Sequence, residues 1–336
     1  MFGKSFEKYK DLINKKSILS FEKYSALVGI DNSIFKLNPL IKGYGYEFVF
    51  LNLSVIEKDF ANFFIENYKE EMYPKTKFKF DNFLSTNLAL KIQKNHTFWR
   101  QLCENEGIIL LKKIDDILGI TSEEAGCSQK SEMNLEDINK FSNNLITTLR
   151  LCKMGEIHLN SCFLVNKETR HVRIRLESKI IKNPNSNFYR VLDDDISEIL
   201  SFIEVEKLIN PFNSLALINF NLSYKSEEME IKFLKLMISL ESLFNQGRDQ
   251  ITHIVARHLA LIISNSKQDF TTNYKRIKKM YNIRSSIVHG STVKENLLEK
   301  HAELENFVRI GLKFCLKSGL SKADLFETLN SSGFSS

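Results

Sequence analysis

Tyr281-Asn282-Ile283-Arg284-Ser285-Ser286-Ile287-Val288-His289-Gly290 closes a basic, amphipathic stretch in the last fifth of the sequence. Glycine is the residue type that most readily ends a helix in the left-handed conformation. Ahead of Gly290, apolar residues recur at Tyr274, Ile277, Tyr281 and Val288. That spacing predicts a helix over about 270–289, with Arg284 on its inward stripe. An earlier helical stripe, Leu234, Met237 and Phe244, carries Glu241 in the same way. A buried carboxylate or guanidinium is costly unless paired. The pattern therefore predicts a Glu241–Arg284 ion pair, with Arg257 as the competing partner of Glu241.

Helix period separates the two polar ends of the stretch. Five positions at about 100° each turn His289 about 140° away from Arg284. Ser285 shares the His289 face at i,i+4 and is the candidate to orient its imidazole. Between Phe270 and Lys294 stand Lys275, Arg276, Lys278, Lys279, Arg284 and Lys294, with no Asp or Glu. Such a face attracts a phosphate backbone, and the same pattern also suits a solvated helix face. Arginine supplies a fixed cation and histidine a group that titrates near neutral pH, which together suit phosphodiester chemistry.

Working outward, the pattern from about residue 195 is helical. Asp195 and Glu198 resemble a capping box, and this helix is expected to stop before Pro211. Further helices are predicted from just after Ser226 to about Asn245, from Asp249 to about Ser264, and from about Lys294 to Lys317. Ser321 is placed to cap a short last helix over 321–336. Short connections between helices of this length predict an antiparallel bundle over 195–320.

Residues 1–190 read as a mixed α/β region. Tyr44–Leu51 predicts a strand, Ile56–Glu71 and Phe98–Leu118 show helical spacing, and 121–135 is polar and loop-like. Ile157–Val165 and Val172–Ile181 flank a polar turn and predict a hairpin. Asn183-Pro184-Asn185-Ser186-Asn187 marks a loop and a domain boundary.

The 336 residues suffice for two domains, and 43% hydrophobic with 26% charged residues is a globular composition. Only 4 prolines and 13 glycines argue against long linkers, and 26 phenylalanines can fill a large core. A balance of 47 Lys and Arg against 41 Asp and Glu, +6 in all, permits an anionic partner without requiring one. Cys103, Cys127, Cys152, Cys162 and Cys315 are scattered and form no CxxC pair, so reduced thiols are expected. No secretory leader, membrane span or metal motif is read, and a cytoplasmic protein is expected. His96, His158, His171, His258 and His301 read as structural histidines.

Leu240-Glu241-Ser242-Leu243-Phe244, then Arg257 with Ala260, then Tyr281-x-x-Arg284-Ser285-x-Ile287-Val288-His289-Gly290, resemble the Apea-like branch of the HEPN superfamily. Arg309 matches a further arginine of that pattern. The resemblance covers roughly 210–318 and implies an all-α bundle that forms homodimers. It also implies a bacterial, metal-independent endoribonuclease of anti-phage defence, with no cofactor. Arg284 and His289 would be the catalytic pair, supported by Ser285, Glu241 and Tyr281. Many catalytic members carry Asn, Asp or His where Ser285 stands. Lys275, Arg276, Lys278 and Lys279 would hold RNA, and residues 1–190 would answer a regulatory or phage-derived trigger. The alternatives are a non-catalytic dimerisation module that binds RNA or a nucleotide, or a scaffold subunit of a defence complex.

Overall fold

Leu19–Val28, LSFEKYSALV, mixes aromatic and aliphatic residues with polar and charged ones. It becomes the central strand, β1, of one antiparallel sheet. In the computed structural model, residues 19–52, 107–114, 118–120, 135–167, 172–177, 188–245, 247 and 249–333 are described. They divide into two units, and each is treated by itself.

The first unit comprises Met1–Asn143, Ile157–Lys179 and Phe188–Ile196. Its other strands are β2 (Tyr46–Asn52), β3 (Gly107–Lys113), β4 (Leu118–Ile120), β5 (His158–Asn166) and β6 (Val172–Glu177). The sheet order is β2-β3-β1-β5-β6, with β4 paired to β1. Tyr24 stands opposite Lys112 on β3 and opposite Phe163 on β5, so β1 is enclosed on both edges. Helix α1 (Glu136–Cys152) begins here. Ser142 donates a hydrogen bond to Ser25 at 2.8 Å, and Phe141 stacks on Tyr46 with ring centroids 3.8 Å apart. Asp137 binds Lys23 at 2.9 Å and also pairs with Lys113. Burial pushes its carboxyl up, but hydrogen bonds from the two lysines outweigh this and hold it below the ordinary value.

The predicted strand over Tyr44–Leu51 forms as β2, and the two arms of the predicted hairpin pair as β5 and β6 over their described residues, His158–Asn166 and Val172–Glu177. The helix expected over Phe98–Leu118 is corrected: Gly107–Lys113 is a strand between β2 and β1. Four consecutive aliphatics, Ile108–Leu111, suit a strand buried on both faces and blur the helical period. Ile56–Glu71 and the polar stretch 121–134 lie outside the described residues, as does the 183–187 loop. β1 and α1 were not read from the sequence.

The second unit comprises Asn144–Glu156, Ile180–Asn187 and Ser197–Ser336. It therefore takes in the second half of α1, well ahead of the boundary expected near residue 190. Helix α2 (Asp195–Phe202) is followed by α3 (Pro211–Ser223), α4 (Met229–Phe244), α5 (Ile251–Ile263), α6 (Lys267–Val288), α7 (Leu297–Ser318) and α8 (Lys322–Ser331). The protein is mostly helical.

Helix α3 escaped the sequence reading, because Pro211 was taken only as a stop. Asn210 in fact forms a capping box with Asn213 around a proline at the first helical position. α3 and α4 then pack as neighbours, with the Ser239 hydroxyl bonded to the Ala216 carbonyl at 2.8 Å. The core gathers Phe220, Phe233, Leu240, Phe244, Ile277, Met280, Val308 and Leu312. Gly311 on α7 lets the Phe244 ring approach; a Cβ there would lie 3.1 Å from it.

Cationic side chains close several helix ends, where the last carbonyls lack intrahelical partners. Arg309 donates from Nε to the Arg150 carbonyl at 2.8 Å, near the end of α1. Lys322 reaches the Ser242 carbonyl of α4 at 3.2 Å. Arg257 donates to the carbonyls of Leu329 and Ser332, at 2.8 and 3.0 Å, closing α8. Around Arg309 lies a buried polar knot. The Tyr224 hydroxyl donates to Glu305 at 2.6 Å, Arg309 pairs with the same carboxylate, and the Arg150 guanidinium sits 4.1 Å from the Tyr224 ring centroid. Burial pushes Arg150 down to about 10, against the opposing pull of Glu156 and Glu305.

Candidate functional site

Helix α6 begins one turn earlier than predicted, because Ser266 caps it by accepting from the Asp269 N–H. Its buried face is Ile277, Met280, Tyr281 and Ile283. At the far end Gly290 takes φ +67°. Its N–H bonds the Ile287 carbonyl at 3.1 Å, and the Ser291 N–H bonds the Ser286 carbonyl at 2.8 Å. This is a Schellman closure, as the glycine suggested. His289 is the cap residue itself, at φ −89° and ψ 5°, so it has left helical geometry and is exposed.

Arg284 points toward the bundle, and its Nε lies 3.3 Å from Glu241 Oε1 on α4. The expected pair forms. Its depth differs from expectation: the Arg284 side chain is 36% exposed and that of Glu241 21%. The true buried stripe of α4 is Phe233, Leu236, Met237, Leu240, Leu243 and Phe244, and Glu241 stands at its margin. The long Arg284 side chain, near the end of α6, carries its charge to the rim while its stem covers apolar surface. The rival, Arg257, is occupied at the end of α8.

The Glu241 carboxyl is held above its ordinary value by burial, only partly offset by Arg284 and by the Tyr281 hydroxyl. The Tyr281 hydroxyl is itself buried and lacks a hydrogen bond of good geometry. Burial, followed by the Glu241 charge, pushes its ionisation far up. Tyr281 therefore stays a neutral phenol beside the Glu241–Arg284 pair.

Ser285 does not bond the His289 ring. Its carbonyl accepts the His289 backbone N–H at 3.0 Å, and no side-chain hydrogen bond joins the two among the described residues. The structure thus joins Glu241, Tyr281 and Arg284, and leaves His289 with Ser285 on a separate, exposed face.

The basic face is less uniform than its sequence. Arg276 Nε binds Glu303 on α7 at 2.6 Å, and its guanidinium lies 5.2 Å from the Phe307 ring centroid. Lys279 faces Glu295 at 3.6 Å. Burial raises the Glu303 carboxyl less than Lys300 and Arg276 lower it, so it stays charged well into the acid range. Acids absent from the stretch between Phe270 and Lys294 therefore arrive from the segment that follows it. Lys275, Lys278 and Lys294 have no acidic partner among the described residues.

Sequence reasoning missed one feature of this surface. His253 on α5 is exposed, and its Nδ1 shares a hydrogen bond with the Tyr274 hydroxyl at 2.9 Å. The rings meet edge to face at 5.8 Å. Only the α5–α6 packing brings these residues together, so no local pattern marks them. His258 is structural as expected, bonded to Asn330 at 2.9 Å and set edge-on to Phe326. Cys152, Cys162 and Cys315 are buried. No helix among the described residues is long and apolar enough to cross a membrane.

No family model, curated protein or solved structure matches the chain. The functional reading therefore rests on the residues themselves.

Proposed function

We propose that the second unit is an Apea-like HEPN bundle and that the protein is a metal-independent endoribonuclease. Its role would be that of a toxic effector in bacterial anti-phage defence, acting in the cytoplasm. The observation that carries this reading is the division of labour on α6. Arg284 is held in place by Glu241 at 3.3 Å, and five residues on His289 stands exposed at a rigidly closed helix end.

In the reaction, the RNA 2′-oxygen attacks the adjacent phosphorus. The P–O2′ bond forms, the P–O5′ bond breaks, and a 2′,3′-cyclic phosphate remains. One imidazole takes the 2′-OH proton and another protonates the departing 5′-oxygen. Arg284 stabilises the charge that grows on the phosphoryl oxygens. Attacking and leaving oxygens lie on opposite sides of phosphorus, so two histidines are needed. A homodimer supplies them, each copy contributing one Arg284 and one His289. Val288 beside His289 and Leu298 at the start of α7 are 55% and 66% exposed, which supports a seam at this end of α6. The sheet-bearing unit is assigned the sensing of a trigger or the restraint of the nuclease.

A non-catalytic RNA- or nucleotide-binding module, or a scaffold subunit of a defence complex, is the second reading. It is favoured by the His289 ring, which has no orienting partner among the described residues. Purified protein, EDTA and single-stranded RNA separate the two. The nuclease reading expects products with cyclic phosphate ends, lost in Arg284→Ala and in His289→Ala. Equal cleavage by wild type and both variants would refute it. Growth arrest on expression, relieved by His289→Ala, tests the same point where a cellular activator is needed.

A further inference from the structure

On α6, Tyr274, Lys278 and Ser285 stand at i, i+4 and i+11, and the cap residue His289 follows at i+15. At about 100° per residue these positions fall within a sector of roughly 60°. Arg276, Lys279 and Arg284 fall outside that sector. The ion pairs respect this division. The three off-sector cations are engaged by Glu303, Glu295 and Glu241. Lys267 and Lys278 within the sector, and Lys275 about 40° outside it, are exposed and have no acidic partner among the described residues. Most of the free positive charge of α6 thus lies on the face that leads to His289.

At the other end of the same face stands the His253–Tyr274 pair. Tyr274 is fixed by near-parallel packing on Phe270, with centroids 6.1 Å apart and planes at 20°. It holds the exposed His253 ring through the 2.9 Å hydrogen bond and the edge-to-face contact. The Lys278 ammonium lies 5.6 Å from the Tyr274 ring centroid. An aromatic ring held at the surface beside unpaired cations is what a single-stranded nucleic acid recognises, by stacking a base and seating the flanking phosphates. Tyr274 and His289 are fifteen residues apart on one helix, about 22 Å at 1.5 Å per residue, a span of a few nucleotides.

We propose that His253, pinned by Tyr274, is a base-stacking subsite for a single-stranded RNA whose backbone follows Lys278 along α6 toward His289. The proposal rests on RNA being the substrate of the His289 site. It replaces the uniform basic face expected from sequence with a track of defined direction, and assigns Arg276 and Lys279 to helix packing instead.

The test is binding of a fluorescein-labelled uridine oligonucleotide, read by anisotropy in the full-length His289→Ala protein so that nothing is cut. His253→Ala is expected to weaken binding about tenfold, and His253→Phe, which keeps a stacking ring, to restore most of it. Lys278→Ala should lower the slope of log affinity against log salt by about 0.7, while Lys235→Ala on α4 leaves it unchanged. Inorganic polyphosphate, which has no bases, should bind His253→Ala as it binds the parent. His253 is exposed, so these variants do not burden folding; Tyr274→Phe, which loses only the pinning hydroxyl, should show an intermediate loss. Unchanged RNA affinity in His253→Ala overturns the subsite, as does an equal loss of polyphosphate binding. If wild type still leaves cyclic phosphate ends in either case, the subsite alone falls. If wild type neither binds nor cuts RNA, the nuclease reading falls with it.

Discussion

Glu241 and Arg284 face each other at 3.3 Å, and the two sides of this pair are not equivalent. At that separation the attraction is about 5 kcal/mol for an effective dielectric near 20 and about 1 kcal/mol in bulk water. Glu241 nevertheless binds its proton more tightly than an ordinary carboxylate, because burial outweighs the help from Arg284 and Tyr281. Ionised Glu241 is therefore a net cost to the fold at neutral pH. Its folded-state pKa is raised, so its contribution to stability is fully present below the ordinary carboxylate value. It is lost as pH rises through the raised one. Glu241→Gln removes the charge and keeps the shape, and should change stability by less than about 0.5 kcal/mol at neutral pH. Arg284→Ala leaves the carboxylate half-buried without its counter-charge and should cost about 1–3 kcal/mol. Combining them should recover most of that loss. Urea unfolding followed by circular dichroism at neutral pH and near pH 4 reads the whole cycle. The Arg284→Ala penalty should shrink near pH 4, where less of the Glu241 carboxyl is ionised. RNA cleavage should fall in both single variants, since Gln at position 241 no longer holds Arg284 by charge. If Glu241→Gln destabilises as much as Arg284→Ala at neutral pH, the reasoning fails.

Three further outcomes are expected. Glu305→Ala strips the common acceptor from Tyr224 and Arg309 in the buried knot and should cost about 3–5 kcal/mol, read by urea unfolding. Gly290→Val places a β-branched residue at φ +67° and should cost about 1–2 kcal/mol, while displacing His289 enough that RNA cleavage falls further than stability does. His301 is pushed below its ordinary value by burial, against the pull of Glu305 and with help from Lys232. Its stabilising effect is present above the ordinary histidine value and lost as pH falls through the lowered one, so His301→Phe should flatten the stability profile on the acid side of the ordinary histidine value.

Local chemistry carried the parts of this molecule that depend on neighbours in sequence. Gly290 closes α6, Ser321 caps α8, and His158–Asn166 pairs with Val172–Glu177, because each needs only residues close by in sequence. The Glu241–Arg284 pair was also legible, since helix phase put both charges on the bundle-facing sides of their helices, where opposite charges pair even at the rim. Even α3 was available in principle, through the Asn210-Pro211-x-Asn213 cap. The strand over Gly107–Lys113 was not, because a run of four aliphatics has no period of its own and its partners lie elsewhere in the chain.

By itself, then, the sequence located most helices of the second unit and put Glu241 and Arg284 on faces that could meet. Tertiary packing decided which cations remain free. Arg257 closes α8 and Arg309 closes α1, because carbonyls at helix ends need donors that only another element can bring. Arg276 and Lys279 meet acids from the segment that follows α6. His253 gains its role only by lying against Tyr274. The pairing of charges across helices is a property of distance in space, and sequence spacing along one helix does not report it.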